Sequence, residues 1–194
     1  MKKNFLSATE RNALQSGDII FIAEGYPVCR MIAATCQSWE SHVGIIFREP
    51  DGRLVVAESR VPFASITTLD KFLARTVGGR FAICRVAGGL TEEQISRLQA
   101  AAEKRLGRIY HQGFDFDSPR EFCSKFVYGS YLEALGVEIG KLETFHELFA
   151  NNPAAPQLGW RLWFLGFIPW RRRTVTPASQ LRSPQLRRIL VGAI

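Results

Sequence analysis

Residues 114–131 read FDFDSPREFCSKFVYGSY, an aromatic loop followed by a helix-like segment with a cysteine near its start. Ser118 suits a helix N-cap, Pro119 suits the first helical position, and Glu121 completes a Ser-x-x-Glu capping box. We therefore predict a helix that begins at Ser118, carries Cys123 one to two turns in, and ends near Gly136.

Cys123 has two interpretations at this position. A thiol near a helix start lies close to unpaired N–H groups and the positive end of the helix dipole, which favour the reactive thiolate. A free cysteine also packs well as a small buried apolar side chain. The stretch alone favours the packing role, so a catalytic role requires partners from elsewhere in the chain.

A predicted β-hairpin supplies two such partners. Residues 41–47 and 53–59 are rich in β-branched residues and flank a Pro-Asp-Gly turn. If Phe47 pairs with Arg53, His42 lies directly opposite Glu58 on one face of the sheet. A carboxylate beside a histidine fixes its tautomer and stabilises the imidazolium, as a general base requires. The alternative is an exposed cross-strand pair with a small effect on stability.

The bulk composition predicts one globular domain over residues 1–194, with 46% hydrophobic and 22% charged residues. The first residues lack the apolar run of a signal peptide, and no stretch reaches the roughly 18 to 20 apolar residues of a membrane span. The cysteines form no C-x-x-C pair, and the chain is too long to need disulfide bonds for stability. With no export signal, we expect a reducing cytoplasm and free thiols. No Cys/His spacing indicates zinc, so we expect neither metal nor cofactor.

The net charge of +7 is concentrated in the last third of the chain, around residues 170–173 and 182–188. No helix-turn-helix or RNA-recognition motif accompanies it, so we predict a solvated basic surface and no nucleic-acid partner. Just before the first cluster, residues 158–170 read LGWRLWFLGFIPW. The favoured interpretation is a strand or cover segment packed on the core, and the alternative is peripheral membrane contact through residues 160–173.

The remaining patterns alternate strands and short helices. We predict strands at 19–22, 80–86 and 189–194, and helices at 27–36, at 68–75, from Thr91 to Leu106, from Thr144 and from Thr176.

A set of motifs in this order resembles a known family. The motifs are Gly-Asp-Ile-Ile-Phe at 17–21, Ser-His-Val-Gly at 41–44, Ala-Glu-Ser at 57–59, Gly-x-x-Tyr at 107–110 and Phe-Cys-Ser-Lys-Phe-Val at 122–127. They resemble the circularly permuted NlpC/P60 papain-like proteins of the YebB/YiiX type (peptidase C92-like), and the similarity covers nearly the whole chain. The histidine strand precedes the cysteine helix, which is the permuted order.

The resemblance implies an α+β fold of the permuted papain-like type, with an antiparallel sheet or small barrel packed against the cysteine-bearing helix. It also implies Cys123 as nucleophile, His42 as base and Glu58 as the third catalytic residue. Tyr110 matches a family tyrosine and is assigned an oxyanion or substrate-positioning role. The chain departs from the family pattern at His111, where an aspartate is common.

The predicted function is cysteine-dependent hydrolysis of amide or ester bonds through an acyl-enzyme. The substrate is a small molecule, a peptide or a lipid-like compound. Two alternatives remain: a lipid-directed acyltransferase or thioesterase-like enzyme, and a non-catalytic ligand-binding member of the fold.

Overall fold

The computed structural model describes residues 5–193, whose central element is a six-stranded antiparallel sheet in the order β4-β3-β2-β1-β5-β8. Its strands are β1 (Asp18–Glu24), β2 (His42–Arg48), β3 (Leu54–Ser59), β4 (Ala64–Thr68), β5 (Thr76–Val86) and β8 (Leu186–Val191), and β6 (Leu142–Thr144) pairs separately with β7 (Arg173–Val175). The helices are α1 (Ala8–Ala13), α2 (Pro27–Thr35), α3 (Leu69–Leu73), α4 (Glu92–Glu103), α5 (Cys123–Leu135), α6 (Phe145–Asn151), α7 (Gln157–Trp163) and α8 (Pro177–Leu181).

The sheet is buried on both faces, which explains the unbroken apolar run in β1. Ile19 and Phe21 point towards the core shared with α4 and α5. Ile20 and Ile22 point the other way, towards α3 and the residues flanking α1. Successive side chains of a strand alternate between faces, so a strand covered on both sides needs apolar residues throughout. The predicted α+β class, with a sheet packed against the cysteine-bearing helix, is confirmed.

The predicted hairpin is present, but its register differs from the predicted one by two positions. Arg48 pairs with Leu54 and Ile45 with Ala57, so the loop covers residues 49–53. The cause is the turn itself: Gly52 adopts a φ of +84° and donates its N–H to the Glu49 carbonyl at 2.8 Å. His42 therefore lies diagonal to Glu58 and not directly opposite it. A shift of two keeps both side chains on the same face.

The cysteine helix begins later than predicted, at Cys123, with Phe122 as an N-cap that makes no side-chain capping bond. The Ser118 capping box is wrong, because Ser118 lies in a bend where its hydroxyl accepts the Arg120 N–H, and Glu121 is held as extended chain. The Glu121 N–H donates to the Ile109 carbonyl at 3.1 Å, and the Glu121 carbonyl accepts from the His111 N–H at 2.6 Å. Cys123 is thus the first residue of α5, and the helix ends at Gly136 as predicted.

The aromatic segment is a helix and not a strand. Its inner side covers the protein: Trp160 of α7 and Ile168 beyond it are buried, in a cluster with residues of α2 and α6. The helices predicted after Thr91, Thr144 and Thr176 all begin there, each capped by the threonine side chain. The last strand ends at Val191, and Ile194 of the predicted strand lies outside the described residues.

Candidate active site

His42 and Glu58 are in direct contact at one end of the sheet. The His42 Nε2 atom lies 2.5 Å from Glu58 Oε2, and the two residues are only 4% and 0% exposed. Arg75, which lies between α3 and β5, donates from Nη2 to both oxygens of Glu58 at 2.8 and 2.7 Å. The Glu58 carboxylate therefore holds a histidine on one side and an arginine on the other.

These contacts govern the charge of both residues. Burial opposes ionisation of Glu58, but its hydrogen bonds and charge attraction to His42 and Arg75 outweigh burial, so the pKa of Glu58 is lowered. Burial also opposes the charged form of His42 and by itself lowers its pKa. The charge of Glu24 and the proximity of Cys123 and Glu58 outweigh burial and raise that pKa to about 10. The imidazolium and carboxylate forms are therefore favoured near neutral pH.

Cys123 completes this group. Its thiol is buried and lies close enough to His42 to contribute to the rise in the pKa of that histidine. Because Glu58 engages Nε2, the ring nitrogen left for the thiol is Nδ1. The first turn of α5 also has backbone N–H groups without intrahelical acceptors, and Cys123 lies in that turn.

Tyr110 lies on the other side of the thiol. Its backbone N–H donates to the Pro62 carbonyl at 2.9 Å, and its ring meets Phe114 edge-on at 6.4 Å. Burial, followed by the nearby charge of Cys123, raises the pKa of the Tyr110 hydroxyl well above its usual value. The phenol thus stays protonated and can donate a hydrogen bond beside Cys123. The structure therefore brings together all four predicted site residues.

Two further residues of the site, Arg75 and Glu24, escaped the sequence analysis. Arg75 Nη1 lies 3.4 Å from Glu24 Oε1, so one guanidinium faces two buried carboxylates. The Cys29 thiol lies 3.8 Å from the other Glu24 oxygen. For Glu24 a signal existed: it is a carboxylate at the end of an otherwise apolar strand. Arg75 carries no motif and was not predictable in this role.

The remaining thiols differ from Cys123 in their surroundings. All four cysteines are free. Burial is the main cause that raises the pKa of the other three thiols, to about 12 for Cys29 and about 11 for Cys36 and Cys84. These thiols are thus protonated at neutral pH and chemically quiet.

A pocket of about 500 Å³ opens at this site and has predominantly apolar walls. Glu24, His42 and Tyr110 line one part, and Phe114, Trp163 and residues 26–28 of the α2 start line another. A second recess of about 30 Å³ lies behind Cys123, between Phe114 and Trp160. An apolar group thus has room beside the thiol, with a few polar side chains to orient it.

His111 follows Tyr110 in the chain, but its side chain makes its hydrogen bond within its own loop. Its Nδ1 accepts the Gly113 N–H at 3.0 Å, and burial is the main cause that lowers its pKa. His146 is exposed on α6, as predicted. Within residues 5–193, no three or more His, Cys, Asp or Glu side chains are grouped to hold a metal ion.

Comparison with known proteins places this arrangement in a family. The chain is 28% identical over 173 residues to the uncharacterized protein YiiX of Escherichia coli K12, covering 89% of this chain and 84% of that protein. It also matches a crystal structure described as the metalloprotein YiiX from Escherichia coli O157:H7, with a TM-score of 0.85, 29% identity, and coverage of 91% of this chain and 97% of the other. The model of the permuted papain-like amidases, YaeF/YiiX, C92 family, matches residues 13–190. The chain therefore belongs to this family of permuted papain-like, cysteine-peptidase-like hydrolases.

Proposed function

We propose that the protein hydrolyses an amide or ester through a thioester formed on Cys123. The observation that carries this proposal is the buried His42–Glu58 pair, with the Cys123 thiol near enough to help raise the pKa of His42. A thiol, a base and a carboxylate that orients the base are the three groups of a thiol-hydrolase triad. Family membership supports the reaction class.

In the proposed mechanism, His42 takes the thiol proton on Nδ1 and becomes the imidazolium that its raised pKa favours, while its Nε2–H donates to Glu58. The thiolate attacks the carbonyl carbon, and the Cys123 N–H and the Tyr110 hydroxyl donate to the oxyanion that forms. His42 then protonates the leaving amine or alcohol, which departs as the thioester forms. A water molecule, deprotonated by His42, attacks the thioester and releases the acid and the free thiol.

Arg75 is proposed as a positioning residue. It contacts no reacting atom in this scheme, but it holds the Glu58 carboxylate in the orientation that His42 needs. The neighbouring crystal structure is described as that of a metalloprotein, yet the described residues of this chain include no grouped donor set for a metal. Every step of the proposed mechanism is therefore assigned to side chains and backbone groups of this chain.

The experiment that tests the proposal is turnover of a panel of acyl esters and amides by the wild type and by Cys123→Ala. We expect Cys123→Ala to lose activity by at least about 10⁴-fold while keeping the wild-type circular dichroism spectrum. Cys84→Ala is the matched control, because Cys84 is buried in β5 away from His42, and it should retain turnover. Full activity in folded Cys123→Ala refutes the nucleophile, and a wild type with neither turnover nor a reactive thiol favours the ligand-binding alternative.

A second candidate, acyl transfer, is favoured by the apolar pocket walls, since a bound acyl chain leaves little room for ordered water. An added amine or alcohol acceptor distinguishes the two reactions. A transferase forms the acylated acceptor in preference to the free acid, and a hydrolase forms the acid.

We also propose a cytoplasmic location, supported by the four free cysteines, because exported proteins commonly pair theirs. Cell fractionation tests it, and recovery of the native protein outside the cytoplasm refutes it. None of the helices in residues 5–193 combines the length and the apolar character that crossing a bilayer requires.

A further inference from the structure

The outer side of α7 and the turn after it expose apolar side chains where a water-facing surface ordinarily carries polar ones. Leu158, Leu162, Leu165 and Phe167 are 72%, 71%, 96% and 73% exposed. Single exposed apolar residues are ordinary, but four large ones within ten residues form a patch of the kind that marks an interaction site. We call these four residues the α7 patch.

The backbone of α7 and of the turn after it is hydrogen-bonded, and it directs the side chains of the α7 patch away from the core. Leu158 and Leu162 are four residues apart and share one face of α7, opposite the buried Trp160. Leu165 has a φ of +55°, and Gly166 donates its N–H back to the Arg161 carbonyl at 2.6 Å, which closes the helix end. The segment is thus apolar on both sides, with only its inner side covered.

Positive charge borders the α7 patch. Arg161 lies between its leucines in sequence, and Arg171 follows it; both are exposed. Neither makes an ion pair with another residue in the range 5–193, whereas Arg173 is paired with Asp117. An apolar surface with unpaired arginines at its edge complements a bilayer whose headgroups are anionic.

The α7 patch is continuous with the pocket mouth. Trp163, the last residue of α7, lines the 500 Å³ pocket, and its Nε1–H donates to the Gln112 carbonyl at 2.9 Å. That bond ties α7 to the loop between Tyr110 and Phe114. At the rim of the same pocket, Tyr26 and Val61 are 59% and 53% exposed. A surface that receives the α7 patch therefore lies beside the opening that leads to His42 and Tyr110.

We propose that the α7 patch docks the protein on anionic phospholipid membranes and presents the pocket mouth to molecules within the bilayer surface. With seven residues, α7 lies on the membrane and does not cross it. The docking uses no residue of the proposed catalytic group, so the two proposals can fail separately.

The test is flotation of the full-length protein with vesicles of phosphatidylcholine alone or mixed with phosphatidylglycerol. We expect wild type to bind the mixed vesicles, and Leu165→Glu/Phe167→Glu to bind them at least about tenfold more weakly. Ile66→Glu/Leu132→Glu is the matched control, since it places the same charges on two exposed apolar positions elsewhere, and it should bind like wild type. Arg161→Gln/Arg171→Gln should weaken binding to the anionic vesicles about 10- to 30-fold.

Several outcomes overturn the docking proposal. They are wild type that stays off the anionic vesicles, equal loss in the control, and a wild-type dimer in sedimentation velocity that Leu165→Glu/Phe167→Glu dissociates without any vesicle binding. The last result assigns the α7 patch to a second copy of the chain. Cys123→Ala should float like wild type. A wild type that binds vesicles but has no activity refutes only the chemistry, and an active wild type that does not bind vesicles refutes only the docking.

Discussion

The pocket has two walls that are built in opposite ways. The polar wall consists of Glu24 and His42, with Glu58 and Arg75 behind them, and its members meet through buried charges between 2.5 and 3.4 Å apart. The aromatic wall consists of Phe114 and Trp163, with Trp160 behind Phe114. These rings contribute mainly apolar area, and Phe114 and Trp160 meet edge-on at 6.0 Å.

This difference predicts different responses to substitution. In the polar wall each charge neutralises another inside the protein, so one deletion leaves a buried charge without compensation. In the aromatic wall a smaller ring loses contact area in proportion to what is removed. We therefore expect large, pH-dependent effects at the polar wall and smaller effects with little pH dependence at the aromatic wall.

The largest effect is expected for Arg75→Met, which leaves Glu24 and Glu58 without their shared cation. We expect the free energy of unfolding to fall by about 3–5 kcal/mol at neutral pH, measured by urea denaturation. The pKa of Glu58 is lowered in the folded protein, so its stabilising contribution is present above the ordinary carboxyl pKa of about 4.3 and is lost as pH falls through the lowered value. The gap between variant and wild type should therefore narrow below about pH 4.

Arg85→Met is the matched control for Arg75→Met. Arg85 forms another buried pair, with Asp18 at 2.6 Å, on a different part of β1. It should also destabilise the protein but leave the alkylation rate of Cys123 unchanged, whereas Arg75→Met should slow that rate. Equal alkylation in both variants contradicts the positioning role of Arg75.

The next largest effect is expected for His42→Ala. His42 is the proposed base for the Cys123 proton, so removing it should slow iodoacetamide alkylation of Cys123 at pH 6 about 100-fold. Peptide mass spectrometry follows each cysteine in the same sample, with Cys84 as the internal control. Rates for Cys123 that match those for Cys84 in the wild type count against the thiol–imidazole pair.

The stability of the same variant gives an independent check. Because the pKa of His42 is raised to about 10, its stabilising contribution is complete below the ordinary histidine value of about 6.5 and is lost as pH rises through 10. The difference in unfolding free energy between wild type and His42→Ala should therefore shrink across that range. A difference that grows with pH contradicts the raised pKa.

The two walls also differ in how far the sequence predicts them. The pairing of His42 with Glu58 follows from hairpin periodicity, and it survived a register error of two because such a shift preserves the face. Arg75 follows from no local pattern, since its partners are 17 and 51 positions earlier in the chain. The aromatic wall was equally hidden, because residues 158–170 are apolar on both sides of a short helix and show no single period.

The helix start at Cys123 shows the same limit. Ser118 and Glu121 satisfy a local capping rule, but backbone hydrogen bonds with residues 109–111 hold Glu121 as extended chain. A local rule fails when distant backbone partners compete for the same N–H and carbonyl groups. Thr91 has no such competitor, and its predicted capping box is present.

A smaller effect is expected at the aromatic wall from Trp163→Phe. This substitution keeps a ring but removes the hydrogen bond to the Gln112 carbonyl, so we expect a loss of about 0.5–1.5 kcal/mol in unfolding free energy, equal at pH 5 and pH 8. Urea denaturation at both values measures it. If Trp163→Phe lowers the unfolding free energy as much as Arg75→Met does, with the same pH dependence, the proposed difference between the two walls is wrong.

The smallest effect is expected on the outer side of α7, from Leu158→Gln/Leu162→Gln. Both side chains are more than 70% exposed, so replacing them removes little buried area, and glutamine is a good helix former. The unfolding free energy should stay within about 0.5 kcal/mol of wild type. A loss above about 2 kcal/mol means that these leucines belong to the core, whereas unchanged stability with weakened vesicle binding assigns them to the membrane-facing surface alone.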